Sequence, residues 1–336
     1  MERLIPVQDW LAVLRKEYLQ DFIKSGGAAV KFAVPLNGME QKRLFILPFR
    51  QIAEDAGYLF VSVDAATTKV HMIDRLFHDI AKQVAWDDLA YRFLCATLLE
   101  NQYRLPDDRN DFSLAHLAEL NALDVGEMRR IINVRVRDRL LKDYAMTQEF
   151  RFAMLLLCRA QLDPAEVGAC VAESVKAWLR GELRLISTLR SALIFQKIGR
   201  HNGRQMLCSL SHWLHVTGKS GLVVSMDISR FLEAKKPKET DGSLYYSKPA
   251  LVDGYEVLRQ FIDGTDELGF CLIVVVVPTN FLTDEQRGIE AYPALKFRIW
   301  DDVRDRQRPN PFSSLIRLSV QETPIDFSLA PSGGHS

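Results

Sequence analysis

Apolar residues recur along this chain in two alternating rhythms. The opening stretch IPVQDWLAVLRKEYLQDFI (5–23) repeats them at three- and four-residue intervals, as a helix does, and Ser25-Gly26-Gly27 supplies a stop signal. AAVKFAVPL (28–36) is short, apolar and β-leaning. NGMEQKRLFILPFRQIAEDAG (37–57) runs from a loop into a helix that should end near Gly57. YLFVSVD (58–64) is a second β run, and HMIDRLFHDIAKQVAW (71–86) is helical again. Strand and helix alternating at this spacing predict βαβ units and a parallel sheet.

From Asp87 to Thr217 the β rhythm disappears. Helical spacing runs through LAYRFLCATLLENQY, SLAHLAELNAL, EMRRIINVRVRDRLLKDYAMTQEFRFAMLLLCRAQL, EVGACVAESVKAWLRG and LISTLRSALIFQKIGRHNGRQMLCSLSHWLHV, joined by polar turns. The β rhythm returns in GLVVSMD (221–227), which ends in an acid, and in FCLIVVVV (270–277), which ends at Pro278-Thr279-Asn280. Between them lie a turn-rich segment, KKPKETDGSLYYSK (235–248), expected to be a mobile loop, and the helix PALVDGYEVLRQFIDG. AYPALKFRIWDDVRDRQ reads as a further helix, FSSLIRLSV (312–320) as a last strand, and the tail 321–336 as disordered. The expected division is an α/β core built from 1–86 and 218–320, split by a helical insertion at 87–217. Five near-continuous apolar strands imply a parallel sheet covered on both faces. Ligands of such sheets bind outside the carboxyl ends of the strands, here at 37–43, 64–68, 227–230 and 278–280.

Composition narrows the picture little. Lys+Arg and Asp+Glu both number 43, so a strongly basic, whole-surface nucleic-acid binder is excluded, though not a local basic face. The five cysteines lie in apolar stretches without a C-x2-C pair and read as buried small hydrophobes in a reducing compartment. The longest apolar run, Phe270–Pro278, is far shorter than the about 20 residues of a membrane span, and no signal peptide is evident, so a cytoplasmic protein is expected.

The order of parts is that of a P-loop NTPase: a loop and helix after the first strand, then an acid-ended strand, then a strand ended by a polar residue. Asp227 stands where the magnesium-organising acid would sit, and Asn280 where a γ-phosphate sensor would. The phosphate loop departs from G-x-x-x-x-G-K-[ST]. With Gly38 in mid-loop, Pro35 and Glu40 replace the two glycines, Gln41 stands for the lysine and Lys42 for the hydroxyl residue. A shift of one restores the lysine as Lys42 and puts Arg43 at the hydroxyl position. The glycines matter because they aim successive N–H groups at phosphate, the lysine neutralises its charge and the hydroxyl ligates Mg²⁺. Pro35 lacks an N–H, and Glu40 would repel phosphate. Ile228 follows Asp227 where a water-activating second acid would be expected.

FIKSGGAAVKFAVPLNG and LPFRQIAEDAGYLFVSVDA, together with IGRHNGRQMLCSLSHWLHVTGKSGLVVSMDISRFL, YEVLRQFID, FLTDEQRGIEAYPALKFRI and NPFSSLIRL, resemble the ATP-binding proteins of BREX-type phage-defence systems, the BrxD-like family. The resemblance spans about residues 10–320. It implies an AAA+-like P-loop core with a large helical insertion and a role against foreign DNA. By position it assigns Gly38, Gln41 and Lys42 to the phosphate loop, Asp227 to the magnesium acid and Asn280 to the sensor. The departures at Pro35, Glu40, Gln41 and Ile228 point to a degenerate, non-hydrolysing subunit that needs no cofactor of its own and acts through other defence subunits, in a hetero-complex or oligomer. The alternatives are an active ATPase holding Mg²⁺–ATP through Lys42 in an unusual register, and a nucleotide-independent DNA-binding adaptor.

Two basic clusters bear on DNA. GEMRRIINVRVRDRLLK (126–142) carries Arg129, Arg130, Arg135, Arg137, Arg139 and Lys142 against Glu127 and Asp138, with Arg135 and Arg139 on one helical face. The competing reading is a solvated face paired with acids elsewhere. Arg200 and Arg204 flank a Gly203 break and read as phosphate cations or as exposed residues beside a kink. Arg287, or an arginine of 298–308, is a candidate trans-acting finger. His212 and His215 share a helix without a third ligand, so no metal site is expected.

Overall fold

The computed structural model describes residues 4–35, 39–163, 169–236, 242–300 and 310–319. Strands β1 (Ile5–Pro6), β2 (Ala28–Pro35), β3 (Leu59–Asp64), β4 (Leu222–Asp227), β5 (Cys271–Val276) and β6 (Leu315–Ser319) form one sheet in the order β1-β6-β2-β5-β4-β3, and each neighbouring pair is parallel. The sheet therefore has six strands where five are expected. The addition, β1, is two residues long and pairs only with β6 at the edge, too short to show a period and containing a proline that an edge strand tolerates.

Alternation along the strands divides the core. Cys271, Ile273 and Val275 of β5 join one buried cluster, while Leu272, Val274 and Val276 join another on the opposite face. The second face is covered by α1 (Val7–Val13), by Leu14–Phe22 in wider π-helical geometry, and by α2 (Met39–Asp55), through Trp10, Phe45 and Phe49. Every β5 side chain is buried, which is why the strand reads as an unbroken apolar run. Each such burial stabilises the fold by about 1.5–3 kcal/mol. Helix α2 ends as the sequence suggests. Gly57 adopts φ +84°, and Tyr58 donates back to the Ala53 carbonyl at 3.0 Å.

The first face carries the long helical stretch between β3 and β4, which are themselves neighbours in the sheet. It comprises α3 (Ile73–Lys82), α4 (Trp86–Glu100), α5 (Leu114–Leu120), α6 (Val125–Leu141), α7 (Gln148–Leu162), α8 (Ala169–Leu179) and α9 (Gly203–Val216). Side chains cap several of these where the sequence changes from polar turn to apolar period. Asp124 accepts from the Gly126 and Glu127 amides at the start of α6, and Thr147 from the Phe150 amide at the start of α7. Between β4 and β5 lies α10 (Lys248–Asp263), and between β5 and β6 lies α11 (Pro293–Ile299).

Three expectations change. Residues 186–202 do not continue a helix into α9: a 3-10 turn at Ile186–Ala192 ends in Leu193, whose left-handed φ of 59° redirects the chain. The segment after β4 is not free along its whole length, because Tyr246 is buried and its hydroxyl reaches the Ala65 and Thr68 carbonyls at 2.9 and 2.6 Å. Cys170 is exposed, and Cys95 and Cys208 are half-buried; only Cys158 and Cys271 are buried small hydrophobes. The expected tail, 321–336, and positions 301–309 of the expected last helix lie outside the described residues.

Candidate functional site

All strands point the same way, so their carboxyl ends meet along one edge. The register sets Asp64 beside Asp227, Asp227 beside Val276, and Val276 beside Ala33. Residues that follow these ends by one or two positions share a small region of surface, and α2 starts there, directly after the loop that follows β2.

Lys42, in the first turn of α2, crosses this edge. Its Nζ lies 2.8 Å from Asp227 Oδ2 and also donates to Ser229 Oγ. The other carboxylate oxygen of Asp227 accepts the Ser229 amide at 2.8 Å. Both carboxylate oxygens are thus engaged, one by a cation and one by a main-chain N–H. The Lys42 side chain is 13% exposed and that of Asp227 21%, so the pair is sheltered but reachable from solvent. Positions 42 and 227, separated by 185 residues, meet because β2 and β4 end at similar levels on either side of β5.

The neighbourhood is tied together by hydrogen bonds. Asp64 caps its own turn by accepting the Ala66 amide at 2.7 Å. Leu244 donates to the Ala66 carbonyl at 2.8 Å, tying the segment before α10 to the β3 turn. Arg230 is buried, donates through Nε to the Leu244 carbonyl at 2.5 Å and pairs with Glu233. Arg287 is also buried; it donates to the carbonyls of Phe231 and Tyr246, each at 2.7 Å. Burial pushes the Tyr246 phenol up to about 12, so it stays a neutral hydroxyl bridging these segments.

The expected site residues separate accordingly. Lys42 and Asp227 come together. Arg43 is exposed on the next position of α2, and Asn280 is exposed in the 3-10 turn that follows β5, on the same edge. Gly38 and the side chains of Glu40 and Gln41 lie outside the described residues. Arg287 cannot serve as a projecting finger, because its guanidinium is spent on two buried carbonyls. Ser229 was not expected: its signal, a hydroxyl two residues after a strand-end acid, is too common to stand out. Asp64 went unrecognised as a neighbour of Asp227 because adjacency across 163 positions depends on strand order.

The basic stripe is divided. Arg129 pairs with Asp163 at 2.8 Å. Arg139 turns in to Glu100 at 2.7 Å and lies 4.9 Å over the Phe93 ring, so it does not share a free face with Arg135. Lys142 reaches Asp138 at 3.8 Å. Arg130, Arg135 and Arg137 are exposed. Arg200 is exposed, whereas Arg204 contacts the Gly264 carbonyl and Glu267, both at 3.3 Å, at the far end of α10. His212 pairs with Asp143 at 2.8 Å, and among the described residues no group of three His, Cys, Asp or Glu is placed to hold a metal ion. No helix among them is long and apolar enough to cross a membrane.

Chemically, the Lys42–Asp227–Ser229 cluster offers one cation, one carboxylate and one hydroxyl at the mouth of a parallel sheet. A polyphosphate would have to take the lysine away from its acid. No second carboxylate directly follows Asp227 in the chain: Ile228 occupies that position with its side chain fully buried in the core, and the neighbouring carboxylate, Asp64, comes from the adjacent strand. A family model described as BREX system ATP-binding protein BrxC/D matches residues 114–323. Comparison with curated proteins and with solved structures gives no match.

Proposed function

The chain belongs to the family of BREX system ATP-binding proteins BrxC/D, and from that premise we propose that it is a phage-defence subunit with a degenerate, non-hydrolysing P-loop site. In this reading the sheet and its flanking helices form an AAA+-like core of 1–86 and 218–320, interrupted by a helical subdomain at 87–217. Lys42 is the phosphate-binding lysine, Asp227 the magnesium acid, Ser229 their common partner and Asn280 the polar residue facing the distal phosphate. Gly38, Gln41 and Arg43 belong to the loop that passes the phosphates.

The observation that carries this reading is the 2.8 Å contact between Lys42 and Asp227, two groups that the family resemblance places, by position, in the phosphate loop and at the magnesium acid. Non-hydrolysis rests on Ile228, a buried apolar side chain at the position of a water-activating acid. A bound Mg²⁺–nucleotide would then act as a structural ligand, with the chain working through other protein subunits of the system. Calorimetry with Mg²⁺–ATP and phosphate-release assays on the purified chain test both parts. Saturable binding lost in Lys42→Ala, without phosphate release, is the expected pattern. Binding that survives Lys42→Ala refutes the site, and sustained release abolished by Asp227→Asn refutes the non-hydrolysing reading in favour of an active ATPase.

A second reading, DNA contact, is favoured by one observation: Arg130, Arg135 and Arg137 are exposed on α6. Three cations give a salt-dependent, sequence-independent contact at most. If DNA binding is unchanged by Arg135→Ala with Arg137→Ala, the face is only solvated.

A further inference from the structure

Apolar side chains that face water in a folded protein are ordinary when scattered and informative when grouped. Among the described residues, three such side chains fall within eleven positions in one stretch: Leu185, Leu193 and Phe195 are 66%, 50% and 64% exposed. They stand on the strap between α8 and α9, where a continuous helix is expected and a 3-10 turn followed by irregular chain is found.

The strap is not loose. Leu189, Ala192, Ile194 and Ile198 are buried beneath it, and the Trp178 indole donates to the Gln196 carbonyl at 3.0 Å. Residues 192–195 alternate in and out, so Ala192 and Ile194 anchor the strap while Leu193 and Phe195 are presented outward. Leu193 holds a left-handed φ of 59° to do so, at a cost of about 1–2 kcal/mol for a non-glycine residue. The turn that Leu193 closes leaves two large apolar side chains, Leu193 and Phe195, facing solvent.

Charge says what kind of partner fits. Arg184, Arg190, Lys197 and Arg200 are exposed in the same stretch of chain, which carries no acid between 183 and 201; the acids that reach it from elsewhere are Glu149, which accepts from Gln196 at 2.8 Å, and Asp74 in the adjoining cavity. Lys197 donates to the Arg184 carbonyl at 3.1 Å, which draws the two ends of the strap, and a cation from each, together. Beside the strap, Leu183, Lys197, Ile198, Trp178 and His78 help line a cavity of about 150 Å³. That is below the ~300–1,000 Å³ of sites for small molecules and suits a single inserted side chain. Nucleic acid would use the cations and one aromatic ring, but it leaves Leu185 and Leu193 without a role.

The geometry points to the 183–201 strap as a docking surface for an acidic, amphipathic segment of a partner protein, with apolar anchors on Leu185, Leu193 and Phe195 and carboxylates on the surrounding Arg and Lys. The inference rests on the reading of the chain as a subunit acting through proteins, and it is independent of whether nucleotide binds. The test places a photo-crosslinking phenylalanine analogue at position 195, or at 185, of the full chain in cells that carry its own defence system. The expected adduct maps to a protein segment with at least two acids interleaved with apolar residues. Arg190→Glu with Lys197→Glu lowers adduct yield about 10-fold or more, and reversing two mapped acids to Lys restores it. A nuclease-sensitive adduct, an adduct with a second copy of this chain, no adduct at all, or a yield indifferent to the charge reversals overturns the proposal. Nucleotide calorimetry on the same variants reports separately on the Lys42–Asp227 site, so either reading can fail alone.

Discussion

Asp227→Asn separates the proposed roles of the two charges at the strand ends. At present Lys42 is held by a carboxylate 2.8 Å away, and both side chains are largely sheltered. In a medium of effective dielectric near 20, two unit charges at that separation attract by about 6 kcal/mol. Desolvation and the ordering of a long lysine side chain return most of this, leaving about 1–2 kcal/mol net. A phosphate that recruits Lys42 must first forfeit that amount. Asparagine keeps the size and the acceptor oxygen for Ser229 while removing the charge, so metal-free ATP should bind about 5- to 30-fold more tightly to the variant. Mg²⁺–ATP should change in the opposite direction, because in the proposed site Asp227 is the carboxylate offered to the metal. Calorimetry in chelator and in millimolar Mg²⁺ measures both. If the substitution shifts the two affinities in the same sense, Lys42 and Asp227 are a structural ion pair and not halves of a nucleotide site.

Other expectations follow from single residues. Lys31, buried in β2, donates to the Phe312 carbonyl at 2.6 Å, and burial pushes its ammonium down from 10.5 to about 8. The unfolded chain therefore binds the proton more tightly, and the penalty, about 3 kcal/mol, is complete below pH 8 and relieved as pH rises toward 10.5. Urea unfolding should show Lys31→Met more stable than the parent at pH 7, with the advantage gone near pH 10; a pH-independent difference contradicts this. Gly221 has φ +139°, and a Cβ there would come within 2.2 Å of the Phe270 carbonyl oxygen, so Gly221→Ala should cost about 2–4 kcal/mol by thermal or urea unfolding. A loss under 1 kcal/mol would show that β4 and β5 can part at that end. Among the thiols, exposed Cys170 should react first with an aromatic disulfide reagent, while Cys158 and Cys271, buried and pushed well above the ordinary thiol range, react only on unfolding.

The sheet was legible because its signal is local. A strand buried on both faces must be apolar at every position, and CLIVVV or LVVSM can hardly be anything else. The order β6-β2-β5-β4-β3 was not legible residue by residue, and with it went the adjacency of Asp64 and Asp227. The strap at 186–198 failed for a definite reason. LISTLRSALIF has apolar residues at helical intervals, but those intervals mix two populations, Leu189, Ala192 and Ile194 inward and Leu185, Leu193 and Phe195 outward. Periodicity counts apolar residues without asking whether they face the chain's own core. The stripe at 126–142 had two readings, a phosphate-tracking face or a face paired with acids elsewhere, and charge spacing could not choose between them because it does not show that Arg129 and Arg139 have acids on neighbouring elements.

The balance of 43 positive and 43 negative residues takes on a local meaning in this light. Neutrality is reached by pairing where the chain is committed, at Lys42–Asp227, Arg129–Asp163 and Arg139–Glu100, and it is left open where cations outnumber acids, around the strap. The closed pair and the open patch respond differently to salt. Exposed cations lose long-range attraction as the screening length falls to about 8 Å at physiological ionic strength, whereas a sheltered pair in contact is screened much less. Partner docking on the strap should therefore weaken with added salt at fixed nucleotide. Competition between Asp227 and phosphate for Lys42 in the proposed site should change far less, and an equal salt dependence of the two would contradict the separate ligands proposed for them.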